Sequence, residues 1–215
     1  MKTAITSLTA ALFVLLATAA QAQDAAAGEK KAAMCIGCHG IVGYQASFPE
    51  VYKVPKISGQ TAKYISSALV AYRKGDRKHP SMRAIAGSLT DQDIADLAAY
   101  YEKHGAGNVK ADAGLPAPSA QAAELLAKGA CASCHGANYS KPIDASYPKI
   151  AGQNADYMYF ALKSYQVEGN PQLGRANAVM AGQARQFKLA ELKVLANYIA
   201  SLPGELQTVP QSKFR

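Results

Sequence analysis

All four cysteines of this 215-residue chain stand in two copies of one short motif. Cys35 and Cys38 are followed by His39 in CIGCHG, and CASCHG recurs 96 residues later. Two thiols three positions apart, with His directly after them, suit covalent attachment of haem. The thiols would add to the two vinyl groups of the porphyrin, and the imidazole would lie beneath the iron as an axial ligand. The motif therefore predicts one haem c at each copy.

The second copy places Cys131, Cys134 and His135 in the same three roles. A zinc site and a thioredoxin-type redox pair are the alternative interpretations of Cys-x-x-Cys. Zinc favours four ligands gathered in one place, whereas each copy offers three candidates. A thioredoxin-type pair needs a βαβ context, which the sequence does not show. We therefore expect two covalently bound haem c groups as the cofactors.

A six-coordinate haem needs a second axial ligand, and the repetition nominates one in each copy. Met82 and Met180 occupy matched positions, and thioether sulfur is an established ligand of haem iron. His79 is the rival for the first haem, since it lies three residues before Met82. Its counterpart in the second copy is Asn177. We therefore prefer Met82 and keep His79 as the alternative.

Longer segments repeat as well, so the chain is a tandem duplication. VPKISGQTAKYISSALVAY at 54–72 is matched by YPKIAGQNADYMYFALKSY at 147–165. MRAIAGSLTDQDIADLAAYY at 82–101 is matched by MAGQARQFKLAELKVLANYI at 180–199. The offsets between matched segments differ by a few residues, because loops changed length while the repeated elements were retained.

The segment between the copies, 104–120, is dense in Gly, Ala and Pro and is typical of a linker. We expect residues 23–107 to form the first haem domain, 108–120 the linker, and 121–215 the second haem domain. The tail of the second domain, GELQTVPQSKFR, has no counterpart in the first copy. We expect it to be a surface strap or a frayed end.

Both copies show the periodicity of helices. Thr90 and Asp93 form a capping-box-like start. Apolar side chains then recur at the i, i+3, i+4 and i+7 positions of a helix, at Ile94, Leu97, Ala98 and Tyr101. The second copy has apolar residues at the equivalent positions, Leu192, Leu195, Ala196 and Ile199. Neither half shows a convincing alternating strand, so the predicted fold class is all-α.

The first 22 residues have the features of a cleaved signal peptide. Lys2 gives a positive start, AALFVLLATAA is an apolar run, and Ala20-Gln21-Ala22 is a small-x-small cleavage site. The apolar run is too short to span a bilayer, which takes about 20 residues. We expect the mature chain to begin near Gln23 and to reside in the periplasm.

The chain is basic, with a formal net charge of +8 at pH 7. A basic exported protein can meet anionic lipid or an acidic protein, so peripheral association with a membrane is compatible with the composition. No nucleic-acid-binding module is evident, and export argues against one. The stretch YRKGDRKHPSMR at 72–83 offers Lys74, Arg77 and Lys78 as docking residues for an acidic redox partner. The alternative is an ordinary solvated loop.

Together these motifs resemble the di-haem cytochrome c4 family, which has two class I cytochrome c domains in tandem. The resemblance rests on the CHG motifs, on PK-aliphatic-small-GQ, and on Met followed by a helix containing LAxY, and it covers about residues 28–203. It implies a small helical fold around each haem, with the two domains packed about an approximate two-fold axis. It also implies two axial pairs: His39 with Met82 and His135 with Met180.

The resemblance further assigns Pro55 and Pro148 to the family's proline whose carbonyl accepts a hydrogen bond from the proximal histidine. Such a bond fixes the ring and raises the basicity of the ligand. Taken alone, each proline is equally well explained as a turn residue.

The resemblance implies an electron carrier of a respiratory chain, which passes electrons from a quinol-oxidising complex or a dehydrogenase to a terminal oxidase. With both irons held by His and Met no coordination site is open, so we expect neither catalysis nor a small-molecule substrate. The haem subunit of a periplasmic dehydrogenase is the alternative, since it differs from a free carrier only in its partner. A di-haem redox enzyme, such as a peroxidase or a thiosulfate-oxidising cytochrome, would need a vacant or labile iron.

Overall fold

Helices make up nearly all of the regular structure in the computed structural model, which describes residues 23–106 and 114–210. The predicted all-α class is therefore confirmed. The predicted signal peptide lies outside the described residues, as do residues 107–113 of the inter-domain region and the last five residues. The proposed domain boundaries stay predictions.

Five helices follow one another in the first half of the described chain: Ala25–Lys31 (α1), Ala33–His39 (α2), Ala62–Lys74 (α3), Pro80–Gly87 (α4) and Asp91–Lys103 (α5). The capping box expected from Thr90 and Asp93 begins α5. Helix α1 packs across α5 at Gly28, where a Cβ atom would lie 2.1 Å from the carbonyl oxygen of Asp96. Helices α3 and α5 contribute most of the buried core: Ala62, Ile65, Leu97, Ala98, Tyr100 and Tyr101.

The second half repeats this order with Ala120–Lys128 (α6), Ala132–His135 (α7), Ala155–Ser164 (α8), Ala178–Ala184 (α9) and Leu189–Ser201 (α10). Helix α10 packs against α8 and α6. The four apolar positions that periodicity predicted for α10 are all buried. Leu192 and Leu195 meet Leu125 of α6 and Phe187 in the core. Each half therefore closes by packing its last helix against its first.

Within the described ranges, two short antiparallel ribbons accompany the helices. The sequence pattern did not predict these ribbons. Gln45–Ala46 (β1) pairs with Tyr52–Lys53 (β2) within the first half. Arg77–Lys78 (β3) pairs with Gly174–Arg175 (β4), so that the second ribbon joins the two halves. Two-residue strands carry no alternating pattern, since one pair of residues is too short to show a period of two.

The repeated Gly-Gln segments form a reciprocal seam between the halves. Gln60 exchanges two hydrogen bonds with the backbone of Lys149, both at 3.0 Å. Gln153 exchanges two with the backbone of Lys56, both at 2.9 Å. Since Gln60 matches Gln153 and Lys56 matches Lys149 in the repeat, the contact obeys an approximate two-fold axis. We call these four residues the Gln–Lys seam.

The described part of the C-terminal tail forms a strap across the first half. Leu206 is buried, and the backbone N–H of Gln207 donates to the carbonyl oxygen of Ser58. The Gln207 side chain donates to the carbonyl oxygen of Gly105, and Glu205 forms an ion pair with Lys149. Of the two expectations for the tail, the strap is correct as far as residue 210.

Within the described ranges, no helix combines the length and apolar character needed to cross a membrane.

Candidate haem sites

His39 ends α2, directly after the two cysteines that the motif assigns to the first haem. Its Nδ1 lies 2.8 Å from the carbonyl oxygen of Pro55. A carbonyl oxygen accepts and cannot donate, so Nδ1 carries the proton and the neutral ring keeps a lone pair on Nε2. Burial lowers the pKa of His39, which favours this neutral form. The ring is thus prepared to bind a metal through Nε2.

His135 repeats this arrangement at the end of α7. Its Nδ1 lies 3.0 Å from the carbonyl oxygen of Pro148, and burial lowers the pKa of the ring. The next residue, Gly136, has φ +80°, and a Cβ atom there would lie 2.0 Å from the carbonyl oxygen of Lys141. The glycine of the second CHG motif is therefore required by the backbone turn that follows the histidine.

The predicted site residues of both copies line one continuous cavity of about 530 Å³. Its wall includes the four motif cysteines, both motif histidines, both matched methionines and both matched prolines. Apolar side chains from the two halves fill much of the remaining wall, among them Ile57, Ile65, Leu69, Leu97, Met158, Leu162, Leu192 and Leu195. The structure therefore brings together every residue that the sequence nominated for haem attachment, for iron ligation or for the bond to a ligating histidine.

His79, the rival of Met82, lines the same cavity but is engaged by the backbone. Its Nδ1 accepts a hydrogen bond from the backbone N–H of Met82 at 3.3 Å. The neutral ring then carries its proton on Nε2, which leaves no lone pair for iron. Burial, with Arg77 and Arg175 nearby, lowers the pKa of His79 and favours the neutral ring. This geometry favours Met82 as the ligand.

Arg77 and Arg175 lie in the cavity wall at the junction of the halves, together with the tyrosines Tyr64, Tyr72, Tyr157 and Tyr165. The Tyr157 hydroxyl accepts hydrogen bonds from Arg77 at 2.6 Å and from Arg175 at 3.1 Å. Arg77 also donates to Tyr64, and its guanidinium lies 4.6 Å from the ring centroid of Tyr72. Burial alone would raise the pKa of Tyr157, but the two arginines lower it to about 8. The junction is thus strongly cationic.

The charges at this junction favour an anion. Within the described residues neither Arg77 nor Arg175 pairs with a carboxylate, and Nε of Arg77 is buried without a hydrogen-bond partner. Buried charges are costly unless they are paired. Haem c carries two propionate carboxylates, which match this need, and the wall also offers thiols, imidazoles and thioethers. The donor set therefore fits haem c.

The basic stretch at 72–83 is only partly available to a partner, so the prediction for Arg77 and Lys78 as docking residues is wrong. Arg77 is enclosed by tyrosines, and Lys78 Nζ donates to the carbonyl oxygen of Asn170 in the other half. Pairing of β3 with β4 draws both residues into the junction. Lys74 and Arg83 remain exposed.

Sequence reasoning missed the role of the loop after the first motif. The β1–β2 ribbon carries Tyr52 onto Phe160 of α8, with ring centroids 4.2 Å apart and planes 24° apart. Nearby, Lys163 forms an ion pair with Glu50, and Asp156 accepts from the backbone of Lys53. The sequence feature that could have indicated this role is the spacing from the motif histidine to the matched proline, which is 16 residues in the first copy and 13 in the second. The longer loop is a clasp between the halves.

Two Cys-x-x-Cys-His helices, each with its histidine bonded to a proline carbonyl and a methionine in the same cavity wall, define a di-haem c-type cytochrome. The family model described as Cytochrome c matches residues 25–104 and 119–203. Cytochrome c4 of Azotobacter vinelandii is 31% identical over 199 residues, which covers 84% of this chain and 90% of that protein. The chain belongs to the di-haem cytochrome c4 family, and it carries two covalently bound haem c groups.

Two further relatives extend the comparison. A protein of Stutzerimonas stutzeri (strain A1501) named thiosulfate dehydrogenase electron acceptor is 30% identical over 210 residues, covering 91% of this chain and 93% of that one. The crystal structure of reduced recombinant cytochrome c4 from Pseudomonas stutzeri is similar with a TM-score of 0.63 at 28% identity. That similarity covers 84% of this chain and 100% of the other.

Proposed function

We propose that this electron carrier works in the periplasm, in a respiratory chain, with His39 and Met82 holding one iron and His135 and Met180 the other. The four motif cysteines anchor the two haem c groups. The observation that carries the proposal is the matched geometry of the two sites. In each, a histidine is set by a proline carbonyl, and a methionine from a matched helix lies in the same cavity wall.

The side chains of this chain set the redox properties of the sites. When bound, each haem c supplies one iron that changes between the ferric and ferrous states. Thioether ligation by methionine raises the reduction potential. The Pro55 and Pro148 carbonyls fix the imidazoles and increase their basicity. With His39 and Met82 on one iron and His135 and Met180 on the other, neither haem would offer a position to a substrate, and electrons would be exchanged without bond formation.

A partner with an acidic docking surface is part of the proposal. The formal net charge of +8, which becomes +7 when Lys2 is removed with the expected signal peptide, favours association with an acidic protein. Lys74 and Arg83 are exposed on the α3 and α4 helices and are the cations of the 72–83 stretch that remain for docking. The signal-peptide features of the sequence at 1–22 support the periplasmic location.

The second candidate function is that of a dedicated electron acceptor of a dehydrogenase. One observation favours it: a relative that covers 91% of this chain bears the name thiosulfate dehydrogenase electron acceptor. The site chemistry is the same for both functions, so only the donor distinguishes them. Reduction rates with a quinol-oxidising complex and with a thiosulfate dehydrogenase, measured side by side, decide between the two.

The visible spectrum of the reduced, haem-loaded protein with and without carbon monoxide tests the carrier proposal. We expect neither haem to shift, because both sixth positions are filled. Met82→Ala and Met180→Ala should each open one haem, and a different one. A shift in the wild-type protein would mean a vacant iron and would favour an enzyme instead.

A further inference from the structure

The two helices that carry the proposed axial methionines begin in the same way. His79 caps α4, and its Nδ1 accepts a hydrogen bond from the backbone N–H of Met82 at 3.3 Å. Asn177 caps α9, and its Oδ1 accepts from the backbone N–H of Met180 at 2.9 Å. Different side chains thus make the same bond, in each case to the methionine itself.

The bond acts on the backbone of the methionine because of where that residue lies. Each methionine is the third residue after its N-cap, and an N-cap side chain bonds the N–H of the second or third helical residue. These N–H groups have no partner inside the helix. A cap therefore fixes the first turn, and here the first turn ends at the axial methionine.

We propose that His79 and Asn177 are positioning residues for the axial methionines, which they hold by capping the methionine backbone N–H. This inference rests on the proposed function, since it takes Met82 and Met180 as iron ligands. It accounts for the presence of two different residues, His79 and Asn177, at matched positions, because each presents one acceptor at a suitable distance. It also gives His79 a role other than that of a competing ligand.

The two caps differ in their surroundings. The His79 ring meets Tyr52 edge-on, with ring centroids 6.5 Å apart and planes 71° apart. Tyr52 in turn stacks on Phe160 of the second half. Asn177 is exposed. The first cap is therefore supported from both halves of the molecule, whereas the second cap depends on its own hydrogen bond.

The test is the apparent affinity of each ferrous haem for carbon monoxide in haem-loaded His79→Ala, His79→Asn and Asn177→Ala proteins. Carbon monoxide competes with the methionine, so its apparent affinity reports how firmly the methionine is held. Loss of a cap should raise that affinity on the order of five- to thirty-fold at one haem. His79→Asn should stay within about twofold of wild type, since asparagine is the natural cap in the second copy.

Two matched variants make the result specific. Ser88→Ala removes a hydrogen bond at the other end of α4, from Ser88 to the carbonyl oxygen of Ile85, and should leave both affinities unchanged. Met82→Ala identifies the first haem, and Asn177→Ala must act on the other one. Far-UV circular dichroism checks that each variant is folded.

Two results would overturn the positioning role. One is a His79→Ala protein whose carbon monoxide affinity equals that of wild type, although Met82→Ala makes the first haem bind carbon monoxide. The cap would then have no effect on the ligand. The other is a His79→Asn protein whose carbon monoxide affinity is raised as much as that of His79→Ala. The imidazole itself, and not only a hydrogen-bond acceptor, would then be needed. If Met82→Ala opens neither haem, the ligand assignment of the proposed function fails, and the positioning role fails with it.

Discussion

Asp96 is a single side chain that ties α1 to α5 where the two helices cross. Its carboxylate, only 3% exposed, accepts from the backbone N–H of Asp24, from Lys31 Nζ and from Gln92 Nε2 at 3.0, 2.7 and 2.6 Å. Lys31 is the main reason that the pKa of Asp96 is lowered, and the Asp24 backbone bond adds to the effect. The charged form therefore stabilises the folded state.

Asp96→Asn should lower the free energy of unfolding at pH 7 by about 1.5 kcal/mol or more, since hydrogen bonds to charged groups contribute about 1.5–3 kcal/mol. A carboxyl whose pKa is depressed by folding contributes stability that is fully present above its unfolded value of about 3.9. That contribution is lost as the pH falls towards the folded pKa. Denaturant unfolding of wild type and variant at pH 7 and pH 3 measures the difference.

The expected difference between the two proteins is therefore smaller at pH 3 than at pH 7. Asp76→Asn, which changes an exposed aspartate in the α3–β3 turn, is the matched control and should leave the unfolding free energy nearly unchanged. An equal destabilisation by Asp96→Asn at both pH values would show that the carboxylate acts through shape and not through charge.

At the residue scale, the grouping of the candidate haem-site residues around one cavity was predictable from sequence. Cys35, Cys38 and His39 are adjacent in the chain, so their meeting is fixed by one helix. Met82 is distant, and only the duplication pointed to it. The role of Arg77 could not be foreseen, because its tyrosine partners Tyr64 and Tyr157 come from different halves and the sequence showed only a basic run.

The β1–β2 ribbon is the element with the greatest effect on how the halves meet. Tyr52 is 4% exposed, stacks on Phe160 and also contacts Tyr157. An aromatic side chain buried in this way contributes both apolar area and ring geometry to stability. The ribbon is therefore a packing element of the second half, although it belongs to the first half in sequence.

Tyr52→Ala should lower the free energy of unfolding by about 3 kcal/mol, as large-to-small changes of buried aromatic residues do. Tyr52→Phe keeps the stack and should cost far less. Val51→Ala alters the neighbouring residue, which is 69% exposed, and serves as the control. Chemical denaturation of the haem-loaded proteins measures the effect. Equal unfolding free energies for Tyr52→Ala and Val51→Ala would show that the clasp does not stabilise the protein.

The helices were predictable, whereas the ribbons and the particular contacts of the tail were not, and the reason is physical. Helix α5 is predictable from its own thirteen residues and the cap at Thr90, because they carry the capping signal and the apolar stripe. Strands β3 and β4 pair with each other across the domain junction, with Arg77 opposite Arg175, so neither strand has a partner within the described part of its own half. The tail lies along Ser58, which is far away in sequence. Elements that depend on the partner half leave no local pattern.

On the scale of the whole molecule, the Gln–Lys seam joins the two copies of the duplicated domain through matched residues. Gln60 and Gln153 are both buried, at 4% and 5% exposure. Each forms two hydrogen bonds with the backbone of the matched lysine in the opposite copy. The lysine side chains complete the exchange, since Lys56 Nζ donates to Gly152 and Lys149 Nζ to Gly59. One motif, used twice, thus supplies both sides of the interface.

Loss of both glutamines should uncouple the halves. Gln60→Ala with Gln153→Ala removes four inter-domain hydrogen bonds, which contribute about 1 kcal/mol each. The folded core of each half lies elsewhere, so each half should keep most of its own stability. We therefore expect a single calorimetric unfolding transition in wild type to become broader or to split in the double variant. Gln121→Ala, an exposed change in α6, is the matched control.

The way in which the transition changes distinguishes two accounts of the molecule. If it splits, the seam is the main coupling, and the Tyr52 clasp and the tail strap are secondary. If it moves to lower temperature without broadening, the halves remain one cooperative unit held by the clasp and the arginine–tyrosine junction. The single variants decide further, because an approximate two-fold axis requires Gln60→Ala and Gln153→Ala to have nearly equal effects. A large inequality between them would show that the two sides of the seam, although alike in geometry, contribute unequally to the stability of the whole.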